Sequence, residues 1–504
     1  MKILMISSEA TPFAKVGGLA DVVPALCKAL NQRGHDVRVL IPMYSGIDES
    51  AFKRSIEPLS VPMGPGEMLC AVHTGKLVGT EVPLYALKRR DLYEREGIYG
   101  PDGSTPWPDN ALRYGFLCAA ALQLCRSLHW IPDIFHVHDW PTAPLTWLLK
   151  NSERNEGFER SSSVLTIHNV EYQGVFPPDS LSVFSPRQIR AVAENRDGAQ
   201  SILFRDSLNF LVLGLVAADE ITTVSPSYAK EILSPEMGGG LDEILRSRKR
   251  SITGILNGVD YRSWNPADDG MLKPDNYDRN KLYGKVRLKE RLQREAGLDS
   301  NPDIPVFGMV TRLTSQKGVE LLTEIQGAAM KPFRDGKAQL VILGTGETVY
   351  ENAFRSIGEM FRSHCFVRTA FDDRFSRLIE AGSDFFLMPS RYEPCGLNQM
   401  YSMRYGTLPI VRRTGGLADT VIDTSESPRG GNGFVFDKYS SAGLAGAINR
   451  AIAFYHNKRL MHGAIRRGMK QRFNWKSSAR LYLKVYKRTQ ALRRRETRRT
   501  FFTR

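Results

Sequence analysis

Short apolar runs alternate with longer amphipathic stretches along most of the chain, at lengths typical of single strands and helices. Residues 2–8 form an apolar run, and residues 18–33 place leucines and valines at helical spacing until Gly34. Residues 36–41 are apolar again. The pattern predicts a strand, a helix and a second strand parallel to the first, which is the repeating element of α/β proteins.

The same alternation continues through two halves of the chain. A turn at residues 257–260 separates them, so we predict domains at 1–256 and 257–474, followed by a C-terminal helix and basic tail at 475–504. Residues 45–110 instead predict an irregular region with hairpin-like runs. The other predicted strands are at residues 133–138, 163–167, 220–224, 305–310, 339–343, 365–369, 384–388 and 408–411. The other predicted helices are at residues 111–128, 204–218, 441–454, 458–468 and 478–492, with one more beginning at 319.

The sequence Gly-Gly-Leu-Ala-Asp occurs once in each half, at residues 17–21 and 415–419. In both places it follows a predicted strand and opens a predicted helix, where backbone amides and the helix dipole favour an anion such as phosphate. Open parallel sheets bind ligands beyond the carboxyl ends of their strands. The repeat therefore favours two nucleotide-binding folds that face one cleft, over the alternative that the glycines merely cap two helices.

Positive side chains accompany these loops. Lys15 precedes the first Gly-Gly pair, and Arg312 and Lys317 flank the start of the helix predicted from residue 319. A planar guanidinium and a compact ammonium together suit a diphosphate, and exposed loop cations without a ligand are the alternative. Phe371 follows a predicted strand at a position from which its ring could stack on a base.

Polar residues also follow two predicted strands of the first half. Asp139 comes after one of these strands and His168 after the next. For His168, ligand contact and structural hydrogen bonding are equally open interpretations. His136 and His138 alternate along their strand, so we expect only one of them to face the site. We expect no metal here, because the sequence brings no further ligand near this His-x-His pair.

Composition indicates the number of domains and the compartment of the protein. The 504 residues are 42% hydrophobic, which fits two to four globular domains. The six cysteines form no CxxC motif, so we expect a reducing compartment without disulfides or zinc. Because no apolar run is long enough for a signal peptide or a membrane span, we predict a cytoplasmic protein.

Much of the net charge of +15 lies at the C-terminus, where residues 487–504 carry eight basic side chains and one acidic side chain. Such a tail predicts a frayed, solvated end. The charge also suggests an alternative, a non-catalytic protein that binds glycan or nucleic acid. We expect neither a nucleic acid nor a membrane as a partner.

Seven segments together resemble the bacterial and plant-type glycogen (starch) synthase family, which are retaining glucosyltransferases of GT-B architecture. The segments occur in the family's order. The resemblance implies two Rossmann-like, doubly wound α/β domains that face each other across a deep cleft, with the last helix returning to the first domain. The segments are SE at 8–9 with KVGGLADV at 15–22, HDW at 138–140, IHN at 167–169, LNGVD at 256–260, RLTSQKG at 312–318, RYEPCGL at 391–397 and TGGLADT at 414–420.

The resemblance further implies transfer of glucose from a nucleotide sugar, usually ADP-glucose, to the non-reducing end of an α-1,4-glucan such as glycogen. Configuration is retained, and no metal or other cofactor takes part. The sequence contains no Asp-x-Asp pair, so cations and helix dipoles would have to balance the diphosphate charge. The alternative is a retaining glucosyltransferase that uses UDP-glucose or a small acceptor.

Five residues carry the chemistry that the resemblance implies. Arg312 and Lys317 hold the diphosphate and stabilise the leaving group, and Glu393 hydrogen-bonds the transferred glucose. His168 positions the sugar through its backbone carbonyl and its ring, and Asp139 lines the sugar site.

Further positions are implied to contact the substrates. Lys15 and the amides of Gly17 and Gly18 approach the donor phosphates and the acceptor, while the amides of Gly415 and Gly416 complete the donor pocket. The other implied contacts are Asp21 and Tyr93 on the acceptor side, Asn257 in the sugar site, Phe371 at the base, and Cys395, Gly396, Leu397 and Thr414 in the donor pocket.

The chain departs from its relatives at three positions that bear on the site. Val212 stands where many relatives have lysine in the helix after His168, so one cation is missing from the cleft region. Tyr401 stands where the wider superfamily often has a second glutamate, eight residues after Glu393, which puts a two-carboxylate mechanism in doubt. Phe371 stands where bacterial ADP-glucose enzymes often have tyrosine, so stacking is retained but a hydroxyl is lost.

Overall fold

The computed structural model describes residues 1–101, 105–193, 202–427 and 429–502, with only the backbone described at 54–57, 191–193 and 498–502. The chain forms two compact units. The first unit consists of Met1–Val224, Ala229–Gly258 and Trp475–Arg504, and the second of Ser225–Tyr228 and Val259–Asn474. Each unit is an α/β fold built on its own β-sheet.

Most described strands of the first unit belong to one nine-stranded sheet, in the order β11-β10-β7-β6-β1-β2-β5-β4-β3, while β8 pairs with β9 separately. The strands are β1 (Lys2–Ile6), β2 (Asp36–Pro42), β3 (Lys53–Met63), β4 (Gly66–Lys76), β5 (Pro83–Lys88), β6 (Ile134–His138), β7 (Ser162–Ile167), β8 (Val175–Phe176), β9 (Leu208–Asn209), β10 (Glu220–Thr223) and β11 (Ile252–Gly254).

This sheet is parallel except where β4 pairs antiparallel with β3 and β5. Strand β1 lies between β2 and β6, so the chain builds the sheet outward from β1 in one direction and later in the other. Such a reversal is the switch point at which open α/β sheets bind ligands. The carboxyl ends of β1 and β6 lead to Glu9 and Asp139, which places both residues at the switch point.

The prediction of an irregular region at residues 45–110 is wrong, because β3, β4 and β5 extend the main sheet there. Strands β3 and β4 have 11 residues each. Their pairing shifts register between Arg54 and Ile56 and again between Ile56 and Leu59. Each shift breaks the two-residue alternation that identifies a strand in a sequence, which hides the length of the hairpin.

The first helix buries Leu19, Val22, Val23, Leu26 and Leu30 along one face, as the helical spacing predicts. The helix predicted at residues 204–218 begins only at Phe210, because β9 precedes it. The helices up to residue 247 are α1 (Leu19–Asn31), α2 (Arg90–Tyr93), α3 (Asn110–Ser127), α4 (Asp139–Thr142), α5 (Pro144–Leu148), α6 (Pro186–Ala193), α7 (Phe210–Ala217), α8 (Tyr228–Glu231) and α9 (Asp242–Ser247).

The sheet of the second unit is parallel throughout its described strands, in the order β14-β13-β12-β15-β16-β17. Its strands are β12 (Val306–Val310), β13 (Gln339–Leu343), β14 (Cys365–Arg368), β15 (Phe385–Met388), β16 (Leu408–Arg412) and β17 (Phe434–Phe436). Because β12 lies between β13 and β15, the switch point of this sheet is at the carboxyl ends of β12 and β15.

Helices connect the strands of the second unit in the way that the alternation predicts. The helix expected from residue 319 is only one turn long and begins at Glu320. The helices are α10 (Tyr283–Glu295), α11 (Glu320–Thr323), α12 (Lys331–Arg334), α13 (Thr348–Met360), α14 (Asp373–Gly382), α15 (Asn398–Arg404), α16 (Gly415–Thr420), α17 (Ser441–Tyr455) and α18 (Lys458–Lys470).

The last helix, α19 (Trp475–Phe502), packs within the first unit. The hydroxyl of Tyr486 lies 2.7 Å from Nδ1 of His136, and Arg488 forms a 2.6 Å ion pair with Glu220. The prediction of a frayed tail is wrong through residue 502, because the chain remains helical and Arg493 is only 9% exposed. Residues 503–504 of the predicted tail lie outside the described residues.

Three further observations concern the chain as a whole. None of the six cysteines, all of which are described, forms a disulfide, and all six are buried. In the described ranges, no helix combines the length and the apolar character needed to cross a membrane. No group of three His, Cys, Asp or Glu side chains with the geometry of a metal site occurs in those ranges either.

Candidate active site

Lys317 and Glu393 form an ion pair inside the second unit. The Nζ atom of Lys317 lies 2.6 Å from Oε2 of Glu393, and the hydroxyl of Ser390 donates to the same oxygen at 3.1 Å. The Glu393 side chain is 7% exposed and the Lys317 side chain is 19% exposed. The structure thus brings together two predicted residues that are more than 70 positions apart, with opposite charges in direct contact.

The pair lies in the wall of a cavity of about 190 Å³ at the carboxyl ends of β12 and β15. Its lining residues are Met309, Val310, Thr311, Lys317, Leu387, Met388, Ser390, Glu393, Gly396, Leu397 and Asn398. Apolar side chains therefore surround a few polar groups, as in small-molecule sites. The cavity is also at the switch point of the sheet, where such folds bind ligands.

Close packing of two loops positions Lys317 over Glu393. Lys317 ends the 3₁₀ turn Ser315–Lys317, and Gly318 follows it with a φ of +67°. A Cβ atom at Gly318 would come within 2.0 Å of the carbonyl oxygen of Pro389. Only glycine allows this approach, which holds the loop after β12 against the loop after β15.

Arg312 and Phe371 lie outside the wall of this cavity. The guanidinium of Arg312 is exposed and donates a long hydrogen bond, 3.4 Å, to Oε1 of Gln316. The Phe371 ring is 92% exposed. Exposed side chains change rotamer readily, so both residues can turn toward a ligand at this edge of the sheet.

The second Gly-Gly loop packs against the backbone that carries Glu393. A Cβ atom would meet the carbonyl oxygen of Glu393 at 2.0 Å if added to Gly415, and that of Cys395 at 2.0 Å if added to Gly416. The amide of Gly416 donates to the Glu393 carbonyl at 3.1 Å. The Gly416 amide thus already donates to a backbone carbonyl, and the prediction that the amides of Gly415 and Gly416 complete the donor pocket stays a prediction. The buried Thr414 begins this loop.

In the first unit, Glu9 accepts hydrogen bonds from the first Gly-Gly loop. Its Oε2 atom accepts from the amides of Val16 at 2.7 Å and Gly17 at 2.9 Å, while Oε1 accepts from the hydroxyl of Tyr99 at 2.7 Å. Glu9 is 3% exposed. An internal carboxylate thus accepts from the Gly17 amide, and the approach of this amide to the donor phosphates and the acceptor stays a prediction. Gly18 is exposed and directly precedes α1.

Lys15 pairs with Asp21 at the surface of the same loop. Its Nζ atom lies 2.9 Å from Oδ2 of Asp21, and the two side chains are 53% and 39% exposed. Exposed ion pairs contribute about 0–1 kcal/mol, so a ligand can compete for either partner. The two residues thus remain available for substrate contacts.

Asp139 accepts hydrogen bonds from the backbone that follows β7. Its Oδ1 atom accepts from the amides of His168 at 2.6 Å and Asn169 at 3.4 Å. Burial raises the pKa of Asp139 to about 7, with the two amides acting in the opposite direction and the charge of Glu9 adding to the rise. Asp139 also has a φ of +53°, which is uncommon for a residue with a side chain. The bond fixes the His168 peptide, so Asp139 and His168 lie together at the ends of β6 and β7.

Comparison with known proteins identifies the family. Residues 2–247 match the family model described as the starch synthase catalytic domain, and residues 290–468 match that of glycosyl transferases group 1. Over 96% of its length, the chain is 43% identical to a glycogen synthase from Treponema denticola, 98% of which is covered. The chain belongs to the glycogen (starch) synthase family.

Two further comparisons agree with this family. A glycogen synthase from Geotalea daltonii is 39% identical, with 97% of this chain and 98% of that protein covered. The catalytic domain of starch synthase IV from Arabidopsis thaliana, solved with ADP and acarbose, matches with a TM-score of 0.87 and 31% identity, covering 97% of this chain and 99% of that one. The chain is therefore a glycosyltransferase with the two Rossmann-like units of the GT-B fold.

His136 and His138 share one face of β6, so the prediction that only one of them faces the site is wrong. Residues two apart on a strand point to the same side. The rings of His136 and His138 lie 4.3 Å apart, and Nδ1 of His138 is 3.0 Å from Nε2 of His168. Burial lowers the pKa of His136 and of His168 to about 3, and that of His138 well below its usual value, so all three rings are neutral near pH 7.

Tyr93, which the resemblance implies to be an acceptor-side residue, lies in the interior of the first unit. Its side chain is fully buried, and its hydroxyl donates to the carbonyl of Arg113 at 2.7 Å. Tyr99 reaches the site instead, through Glu9. The signal that sequence reasoning missed is the pair Gly97 and Gly100, where added Cβ atoms would fall within 1.9 Å and 1.8 Å of backbone oxygens. These glycines mark the tight loop that presents Tyr99.

The structure also shows what surrounds Asn257 and Tyr401, two positions discussed in the comparison with the family. Asn257 is 5% exposed, and within the described part of the chain its Oδ1 atom has no hydrogen-bond partner. Buried polar atoms are usually bonded, so this oxygen is a candidate acceptor for a hydroxyl of the substrate. Tyr401 stacks on Trp264 at 3.7 Å, and Arg377 lies 3.6 Å from the centre of the same Trp264 ring. An aromatic contact thus occupies the position of the second glutamate found in the wider superfamily.

Proposed function

We propose that the chain transfers glucose from ADP-glucose to the non-reducing end of an α-1,4-glucan with retention of configuration. The contact between Lys317 and Glu393 in the second-unit cavity is the observation that carries this proposal. It offers one positive and one negative group at the switch point of a nucleotide-binding sheet, which suits a sugar joined to a diphosphate. The relative solved with ADP supports adenine as the base.

The diphosphate is assigned to Lys317 and Arg312. A phosphate oxygen beside Lys317 shares the ammonium that now contacts Glu393 at 2.6 Å, so Glu393 gains capacity to accept from the sugar hydroxyls. As the bond between sugar C1 and the diphosphate breaks, negative charge grows on the leaving oxygen, and fixed cations stabilise it. The acceptor hydroxyl bonds to C1 on the face that ADP leaves, and its proton passes to the departing phosphate.

In the first unit, His168 and Asn257 are assigned to the sugar. Asp139 holds the His168 peptide in place, and the unpartnered Oδ1 of Asn257 is available to a sugar hydroxyl. Lys15 and Asp21 form an exposed pair that a charged or hydroxylated substrate can divide. We propose that none of these steps needs a metal or another cofactor, so a chelator such as EDTA leaves the rate unchanged.

Replacement of Glu393 tests the role of the cavity. Glu393→Gln keeps the shape but removes the charge, and we expect turnover of ADP-glucose with glycogen to fall by at least about a hundredfold, the scale of one lost electrostatic contact in a transition state. Glu295→Gln is the matched control, because Glu295 forms a 2.7 Å ion pair with Arg374 elsewhere in the second unit. Near-normal turnover by purified Glu393→Gln would remove the assigned role.

A donor and acceptor panel tests the substrates. ADP-glucose and UDP-glucose are each assayed with glycogen, with maltose and without acceptor, and the anomeric configuration of the product is read by NMR. We expect the highest rate with ADP-glucose and glycogen, and an α-linked product. Faster reaction with UDP-glucose, or with maltose in place of glycogen, would favour the alternative glucosyltransferase.

A further inference from the structure

The rings of His138 and His168 face each other through one nitrogen each, and a hydrogen bond between these two nitrogens needs a proton on one of them. Nδ1 of His138 and Nε2 of His168 are 3.0 Å apart, and burial keeps both rings neutral near pH 7. A neutral imidazole has one N–H donor and one acceptor nitrogen. Therefore one of the two facing nitrogens donates, the other accepts, and this choice fixes the tautomer of both rings.

The remaining nitrogen of His138 decides between the two arrangements. Its Nε2 atom is buried and, among the described residues, has no hydrogen-bond partner. If His138 accepted from His168, this isolated atom would have to be an N–H. Protein interiors tolerate an unmatched acceptor more often than an unmatched N–H donor. The unprotonated form of Nε2 is therefore favoured, which leaves the proton of His138 on Nδ1, facing His168.

The residues around His138 fix the orientation of its ring. Its backbone amide donates to Oγ1 of Thr142 at 2.6 Å, and the Thr142 hydroxyl donates to the His138 carbonyl at 2.8 Å. The ring packs 4.3 Å from the ring of His136, which is itself bonded to Thr166 and Tyr486. His138 is fully buried, and its ring contacts both the His136 ring and the His168 ring, at centroid distances of 4.3 and 5.3 Å.

We propose that His138 is a positioning residue that donates from Nδ1 to His168 and so holds His168 in the Nδ1–H tautomer. The Nδ1 atom of His168 is then a donor. Within the described residues, the bond to His138 is the hydrogen bond that the His168 ring makes, which leaves Nδ1 available to an oxygen of the substrate. The inference rests on the proposed function in one respect, namely that His168 contacts the sugar.

Nitrogen-15 NMR on the full chain labelled at histidine tests the tautomers directly. We expect His168 to carry its proton on Nδ1 and His138 to carry its proton on Nδ1, with neither ring titrating between pH 5 and pH 8. Signals are assigned with His138→Asn and His168→Asn. A protonated Nε2 on His168 would overturn the inference, whatever reaction the enzyme catalyses.

Kinetics of two variants test the positioning role. His138→Asn retains an N–H near the position of Nδ1, whereas His138→Leu removes it, so we expect His138→Leu to lower kcat at least tenfold more than His138→Asn, with little change in the KM for the donor. Tyr486→Phe, which alters only the neighbouring His136, is the control and should keep both kcat and the His168 tautomer. Equal losses in the Asn and Leu variants would overturn the inference. Absence of ADP-glucose transfer with the expected tautomers would overturn the proposed function alone.

Discussion

The two Gly-Gly-Leu-Ala-Asp loops have the same sequence and different surroundings. In the first unit, Gly17 and Gly18 have nothing within 4 Å of an added Cβ atom, and a buried side chain, Glu9, accepts from the loop amides. In the second unit, Gly415 and Gly416 pack against backbone carbonyls at distances that only glycine permits. One loop is held by a carboxylate and the other by close backbone packing.

This difference teaches that an identical pentapeptide does not imply an identical role. Two carboxylates of the first unit accept hydrogen bonds from site loops. Glu9 accepts from the amides of the Lys15 loop, and Asp139 accepts from the amide of His168. In the second unit, close backbone packing stabilises the site, because Gly318 and Gly416 allow neighbouring loops to approach each other around Glu393. The Asp139 contact of the first arrangement should respond to pH, and the second arrangement should respond to added volume.

The largest effect is expected from added volume. Gly416→Ala places a methyl group 2.0 Å from the Cys395 carbonyl, so the loop under Glu393 must move. We expect a loss of stability of about 3 kcal/mol or more and loss of most activity. Gly18→Ala is the matched change in the first loop, and we expect less than about 0.5 kcal/mol, because Gly18 has a helical φ of −65° and open space.

Thermal unfolding and turnover of the two alanine variants check this contrast. The comparison of the loops fails if Gly18→Ala is as damaging as Gly416→Ala. It also fails if Gly416→Ala is as stable and active as the unmodified protein.

A smaller effect is expected from pH. The pKa of Asp139 is raised to about 7, above the value of about 3.9 for an unfolded aspartate, so the folded state holds the proton more tightly. Ionisation therefore destabilises the fold. The penalty is absent below about pH 4 and grows until the pH exceeds about 7. A fully dry carboxyl would lose about 4 kcal/mol, and the partial exposure of Asp139 reduces the expected loss to about 2 kcal/mol.

Asp139→Asn removes this titration while keeping an oxygen to accept from the His168 amide. We therefore expect the stability of Asp139→Asn relative to the unmodified protein to be higher at pH 8 than at pH 5, as measured by urea unfolding at each pH. A difference that stays the same at both pH values would show that Asp139 does not ionise in this range.

The sequence predicts the fold well where the alternation is regular. The strands around both switch points and the amphipathic α1 follow directly from hydrophobic spacing. Hairpin-like runs are predicted at residues 45–110, but the length of the β3–β4 hairpin and its place in the main sheet are not, because two register shifts disturb its alternation. The length of α19 is not predicted either, because its basic residues read as a solvated tail although the helix buries Thr489, Gln490 and Arg493 on one side.

The sequence predicts which residues belong to the candidate site more reliably than it predicts which of them are in contact. Motifs indicate Lys317, Glu393 and His168, but no spacing shows that Lys317 and Glu393 touch. Glu9 and Tyr99 are missed because their effect depends on long-range contacts with Gly17. The different surroundings of the two identical Gly-Gly pairs are not predicted for the same reason, since the groups that accept from their amides lie outside the pentapeptide.

The central claim is that the diphosphate of the donor binds at Lys317 in the second-unit cavity. Calorimetric titration of ADP into the unmodified protein, Lys317→Ala and Lys331→Ala tests it most directly, since Lys331 forms an exposed ion pair with Asp335 elsewhere in the same unit. We expect Kd to rise about tenfold or more in Lys317→Ala, the effect of one lost charged hydrogen bond, and to be unchanged in Lys331→Ala. Equal Kd values for all three proteins would contradict the claim.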